Sequence, residues 1–81
     1  VEIDPRFAEA WYNRGFFLLE RGLAEDAVEA FDNAIRLGFR NAEVLEEKAR
    51  ALEELGKYDE AEELAAEVDE MREQAEEQLL E

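Results

Sequence analysis

The chain repeats one pattern of small and large apolar residues with a period of about 34 residues. The first copy of the pattern is carried by Trp11, Gly15, Leu18, Gly22, Ala27, Phe31 and Ala34. The second copy is carried by Leu45, Ala49, Leu52, Gly56, Ala61, Ala65 and Val68. Such a period is typical of proteins in which each repeat buries its apolar side against the next one. The sequence therefore predicts two stacked helix–turn–helix units.

Capping residues and glycines predict where the helices begin and end. Asp4 and Pro5 suit a helix start, and Asn41 suits another. Glycine is favoured just after a helix C-terminus, where Gly22, Gly38 and Gly56 stand. The predicted helices run from Pro5 to about Arg21, from about Ala24 to Leu37, from Ala42 to Leu55, and from near Tyr58 onward.

The fourth helix is predicted to be longer than the repeat requires. No glycine or proline follows Tyr58, and apolar residues continue at spacings of three and four: Ala61, Leu64, Ala65, Val68, Met71, Ala75 and Leu79. This spacing indicates one amphipathic helix that extends about two turns past the repeat unit. We expect its stripe to pack along the third helix and close the stack, or to pair with another chain as a short coiled coil.

The residue types in the chain restrict its chemistry. Cysteine and histidine are absent, which excludes disulfides, thiolate catalysis and the commonest transition-metal ligands. Serine and threonine are absent too, so hydroxyl nucleophiles are missing. Adjacent glutamates such as Glu46 and Glu47 point about 100° apart on a helix and do not converge. We therefore expect no enzyme, no catalytic residue, no cofactor and no metal site.

The net charge of −15 is unevenly distributed along the chain. Residues 1–41 carry eight acidic and five basic side chains, and residues 42–81 carry sixteen and four. Such a surface repels phosphates, so we expect neither nucleic acid nor a membrane as partner. The acidity fits a solvated surface that keeps the fold soluble, a basic partner, or adaptation to a high-salt cytoplasm. With no apolar run long enough to span a bilayer, the expected location is cytoplasmic.

The repeated residues resemble the motif of the tetratricopeptide repeat family, most closely from Ala8 to Gly15. Two departures are that Phe39 stands where the family usually has proline, and that Ala65 and Val68 replace an aromatic residue and alanine. The resemblance implies an all-α fold, a fragment of a right-handed α-solenoid with an extended C-terminal helix. It divides the chain into the end of a preceding repeat (1–7), a first repeat (8–41), a degenerate second repeat (42–75) and an extension of the last helix (76–81).

The resemblance also implies a concave groove lined by the first helix of each repeat. We call this set the predicted groove: Glu9, Tyr12, Asn13, Phe16, Leu19, Glu43, Glu46, Glu47, Arg50 and Glu53. The expected function is that of a protein-interaction scaffold that binds a protein or peptide with apolar and basic residues. Three residues would act as apolar anchors: Tyr12, Phe16 and Leu19. Four carboxylates would select basic partners: Glu43, Glu46, Glu47 and Glu53.

A second reading of the first helix is structural. Tyr12, Phe16, Phe17 and Leu19 make this helix apolar on almost every side, which is typical of a buried helix. A homo-oligomer formed through the first or the last helix, or a neighbouring repeat, would cover it without any peptide ligand. Some family members clamp acidic C-terminal tails with basic and amide side chains. The positions resembling that clamp are Tyr12, Phe16 and Glu47, so we expect no binding of such tails.

Overall fold

A computed structural model describes residues 5–80 and shows four α-helices joined by short turns. The helices are α1 (Pro5–Glu20), α2 (Ala24–Arg36), α3 (Ala42–Glu54) and α4 (Tyr58–Leu80). These bounds agree with the predicted ones to within a residue. Leu37 and Leu55, predicted as the last residues of α2 and α3, are the C-caps that follow them. Asp4, the predicted cap of the first helix, lies outside the described residues.

Both helical hairpins turn in the same way. Gly22 and Gly56, which occupy equivalent positions in the two repeats, have positive φ angles of +80° and +78°, which glycine adopts without steric cost. The amide of Leu23 donates to the carbonyl of Leu18 at 2.9 Å, and the equivalent bond from the Lys57 amide is 2.8 Å. This hydrogen bond satisfies a carbonyl that the helix end would otherwise leave unpaired. The period of the sequence is therefore a structural repeat as well.

The link between the two hairpins begins at Gly38 (φ +100°), which follows α2 as predicted. At its other end the Asn41 side chain accepts a hydrogen bond from the Val44 amide at 2.9 Å. This bond confirms Asn41 as the N-cap of α3, because it satisfies an amide in the first turn that has no partner within the helix.

Helix α1 crosses α2 at Gly15. A Cβ atom added to Gly15 would lie 2.6 Å from Cε1 of Phe31, whose side chain is fully buried. The missing side chain of Gly15 thus lets the Phe31 ring lie directly against the α1 backbone. Gly15 and Phe31 both belong to the repeated pattern of small and large apolar residues.

One buried cluster joins the two hairpins: Leu19, Ala24, Ala27, Phe31, Ala34, Val44, Leu45, Ala51 and Val68. It draws residues from all four helices. Helix α3 is central to it, because α3 packs against α1, α2 and α4, whereas α1 and α4 do not meet in the described part of the chain. Within that part no polar or charged residue is buried, so apolar contacts hold the stack together.

Helix α4 packs on the core only over its first half. Leu64, Val68 and Met71 contact the buried cluster, and Arg40 of the link pairs with Glu67. Past Met71 the described side chains are exposed, and Leu79 is 85% exposed. The apolar stripe predicted up to Leu79 is therefore used only as far as Met71.

Replacing Gly15 with alanine should lower the free energy of unfolding. The new methyl group displaces the Phe31 ring, and overpacking of this kind costs about 1–3 kcal/mol. The better helix propensity of alanine offsets roughly 1 kcal/mol of that cost. Urea unfolding followed by circular dichroism measures the difference. The exposed neighbour Asn13 provides the control, since Asn13→Ala should change stability by less than about 0.5 kcal/mol.

Phe31→Leu in the Gly15→Ala background should recover part of the loss, because the smaller side chain makes room for the methyl group. A Gly15→Ala variant at least as stable as the parent chain would show that the crossing does not depend on the missing Cβ.

Candidate functional site

Tyr12 lies where α1, α2 and the link between the hairpins meet. Its ring centroid is 5.9 Å from that of Phe31 and 5.3 Å from that of Phe39, and both pairs are tilted. Tilted aromatic pairs at these distances are favourable beyond the area that they bury. The side chain is therefore fixed on one edge and partly exposed on the other.

Sequence reasoning missed the contribution of Phe39 to this site. It treated Phe39 as a departure from a family motif, whereas the structure shows a partly buried ring that packs on Tyr12. The sequence did contain a sign of this contact, because a large aromatic residue stands in the link between α2 and α3, where a small or rigid residue would be enough. That signal did not identify the partner, because Tyr12 is distant in the chain and the whole of α2 separates the two residues.

The acidic side of α3 acts electrostatically on Tyr12. Burial raises the pKa of the Tyr12 phenol above its usual value, and the charges of Glu47 and Glu43 raise this pKa further. Both effects disfavour the phenolate, the first by removing water and the second by repulsion between like charges. The structure thus brings an aromatic residue of α1 together with two carboxylates of α3.

The carboxylates of the predicted groove are not equally available to a ligand. Glu46 pairs with Arg72 of α4, and Glu47 pairs with Arg50 at 3.0 Å, where the Glu47 side chain is 16% exposed. Glu43 and Glu53 are exposed, and neither forms an ion pair within residues 5–80. Among the α3 carboxylates, the negative charge open to a partner is therefore carried mainly by Glu43 and Glu53. The role of Arg72 was missed because it depends on how α4 packs on α3.

The apolar residues of the predicted groove are unequal too. Phe16 is 38% exposed, but Leu19 is only 5% exposed and belongs to the buried cluster. Leu19 therefore offers almost no surface to a ligand, and its expected use as an anchor is corrected to a place in the buried cluster. Glu9 and Asn13 are exposed on α1.

A cavity of about 520 Å³ lies away from the residues of the predicted groove. It is lined by the turn after α1, the start of α2 and the end of α3: Gly22, Leu23, Ala24, Glu25, Asp26, Glu54 and Leu55. All of its ionisable side chains are acidic and exposed. Across the described residues no group of histidine, cysteine, aspartate or glutamate is arranged to hold a metal ion. Over the same range no helix is both long enough and apolar enough to cross a membrane.

Two stacked hairpins with a shared register and a surface of aromatic and acidic side chains define a helical-repeat interaction module. Models of the tetratricopeptide repeat match the chain twice, over residues 1–29 and over residues 42–75. The chain belongs to the tetratricopeptide repeat family. Repeats of this family are not catalytic and generally mediate protein–protein interactions. No curated protein sequence matches the chain.

The raised pKa of Tyr12 makes stability depend on pH in the alkaline range. The pKa of Tyr12 in the folded chain is higher than its value of about 10 in the unfolded chain. Below a pH of about 10 the phenol is neutral in both states, so the full contribution of neutral Tyr12 to the free energy of unfolding is present there. This contribution is lost as the pH rises through the folded-state pKa. Tyr12 is the only tyrosine left in a Tyr58→Phe variant, so its tyrosinate absorbance can be followed alone and should show a midpoint above about 10.

Adding Glu43→Gln and Glu47→Gln to that variant should lower the midpoint, because two negative charges near the phenol are removed. The matched control replaces Glu76 and Glu77, which lie on the exposed last turns of α4. Equal midpoints in the two sets would show that the α3 carboxylates do not act on Tyr12.

Proposed function

We propose that the chain binds a peptide or an extended protein segment along the predicted groove, with apolar side chains of the partner on α1 and basic side chains on α3. The observation that carries this proposal is the position of Tyr12. Its ring packs against Phe31 and Phe39, while Glu43 and Glu47 act on its hydroxyl. An apolar contact surface and an acidic one therefore adjoin within a single site.

The apolar half of the site is small and rigid. Tyr12 is held by two aromatic neighbours, so its ring loses little freedom when a partner covers it, and Phe16 beside it is 38% exposed. Covering the exposed part of Phe16 contributes about 1 kcal/mol. A site of this size gives modest affinity, which suits recognition of a short segment.

The acidic half of the site supplies selection. Exposed Glu43 and Glu53 attract lysine and arginine side chains, and the whole second repeat adds a negative field. Such charges mainly steer the encounter and reject acidic partners. Because they are exposed, salt screens them, so the affinity should fall as ionic strength rises. An acidic C-terminal tail meets repulsion here, since Tyr12, Phe16 and Glu47 offer it no positive charge.

Binding can be measured by titrating a synthetic peptide with a Leu/Phe cluster followed by a Lys/Arg cluster into the isotope-labelled chain. Shifts in the amide spectrum should concentrate on α1 and α3. Phe16→Ala combined with Glu43→Lys should weaken binding by about tenfold or more, because one apolar contact and one attractive charge are lost. The same peptide with its basic residues changed to glutamate should not bind.

The matched control combines Phe17→Ala with Glu76→Lys. These substitutions change the same residue types by the same amounts, but about 100° round α1 from Phe16 and at the end of α4. Equal loss of binding in the two double variants, or equal binding of the glutamate peptide, would contradict the proposed site.

A further inference from the structure

One side of α1 carries exposed apolar residues that neither the core nor the predicted groove uses. We call it the free α1 face: Phe7, Ala10, Arg14 and Phe17. Spacings of three, four and three place these residues along one side of the helix. That side is opposite to the buried residues Ala8, Gly15 and Leu19. Phe7 is 63% exposed and Phe17 is 55% exposed.

The equivalent face of α3 is buried, because α3 packs on the first hairpin with it. The equivalent positions of the second repeat are Asn41, Val44, Lys48 and Ala51. Val44 and Ala51 are fully buried in the cluster that contains Phe31 of α2. Lys48 forms an ion pair with Asp32 of α2 at 2.5 Å. Helix α3 thus uses this face to dock on the first hairpin.

The second hairpin presents the matching groove, and no further helix of the described chain lies over it. This α3–α4 groove has a volume of about 300 Å³ and is lined by Glu46, Ala49, Arg50, Glu53, Ala65, Val68, Asp69 and Arg72. The equivalent positions of the first repeat include Gly15, Leu19, Phe31 and Ala34, which are buried in the stack. The chain therefore carries both halves of its own inter-hairpin interface, one at each end.

We propose that a second copy of this chain occupies the α3–α4 groove with its free α1 face, in the register that α3 uses on the first hairpin. The interface is a continuation of the one seen within the chain. A copy of this chain is the proposed occupant because α1 stands in the same repeat register as α3, so its free face lies at the positions that α3 uses for docking.

The sizes of the facing residues support this register. Within the chain, small Ala51 on α3 and large Phe31 on α2 belong to one buried cluster. Between copies the sizes are exchanged, because Phe17 stands at the Ala51 position and exposed Ala65 stands at the Phe31 position. An exchange of large and small residues keeps the packed volume similar, which is the kind of change that apolar interfaces tolerate best.

The charges of the two helices also favour contact between α1 of one copy and α4 of the other. Helix α4 carries ten carboxylates and one arginine, whereas α1 carries two acidic and two basic residues. Arg14 stands at the position of Lys48, whose ammonium pairs with Asp32 of α2 inside the chain. The position equivalent to Asp32 on α4 is Ala66, so Arg14 meets the overall negative charge of α4 and no equivalent carboxylate. Docking therefore brings a basic side chain of one copy to the most acidic helix of the other.

This arrangement is head-to-tail, since the two surfaces are different and lie at opposite ends of the stack. Heterologous contacts of this kind do not close on themselves in a pair, so chains of copies grow with concentration. Light scattering across a concentration series should give a mass that rises past that of a dimer.

Two single variants test the pairing of surfaces. Phe17→Glu blocks the free α1 face and leaves the groove intact, and Ala65→Glu blocks the groove and leaves α1 intact. Both residues are exposed, so the helical content should not change. Each variant alone should be monomeric, with association weakened by about tenfold or more. An equimolar mixture should form a one-to-one pair, because each variant retains a different intact surface.

Matched controls are Leu79→Glu and Gln78→Glu, which add the same charges on exposed positions of α4 outside the groove and should associate like the parent chain. A parent chain that stays monomeric at every concentration overturns the proposal. The proposal is also overturned if the mixture of Phe17→Glu and Ala65→Glu fails to form pairs, because that result would indicate that the α1 faces of two copies contact each other. The α3–α4 groove and the predicted groove share three residues: Glu46, Arg50 and Glu53. Peptide binding is therefore measured on the monomeric Phe17→Glu variant, in which no second copy competes for them and the predicted groove is unchanged, so the two proposals can fail separately.

Discussion

The contact between Gly15 and Phe31 sets the geometry on which the rest of the structure depends. Because Gly15 has no Cβ, the Phe31 ring lies against the α1 backbone and fixes the distance between α1 and α2. The same ring supports Tyr12 on one edge and shares a cluster with Val44 of α3. One small residue therefore controls both the docking of the second hairpin and the orientation of the main aromatic residue of the site.

The second hairpin carries a different pair of residues at the equivalent positions. Ala49 replaces glycine and Ala65 replaces phenylalanine, so the methyl group gained on α3 is matched by a ring lost on α4. Ala65 is exposed, and it lines with Ala49 a groove of about 300 Å³. The groove is open because no further helix of the described chain lies over it, and the loss of the aromatic ring at this position adds to its space.

The sequence predicted what depends on local interactions, and it failed where contacts between hairpins decide the outcome. Helix ends followed from Asn41 and the turn glycines, which act within a few residues of themselves. The burial of Leu19 did not follow, because helical periodicity gives the direction of a side chain and not which neighbouring helix covers it. The pairing of Glu46 with Arg72 likewise depends on the packing of α4.

The two readings of α1 as ligand surface and as buried helix are compatible, because they concern different sides of the helix. Tyr12 lies on the side of α1 next to the acidic residues of α3. Phe7 and Phe17 lie on another side, at positions equivalent to those that α3 uses for docking. A helix with three apolar contacts has to be apolar nearly all round. The charge gradient then favours one order of copies, since tail-to-tail contact would join two copies of the acidic α4, whereas head-to-tail contact places neutral α1 against it.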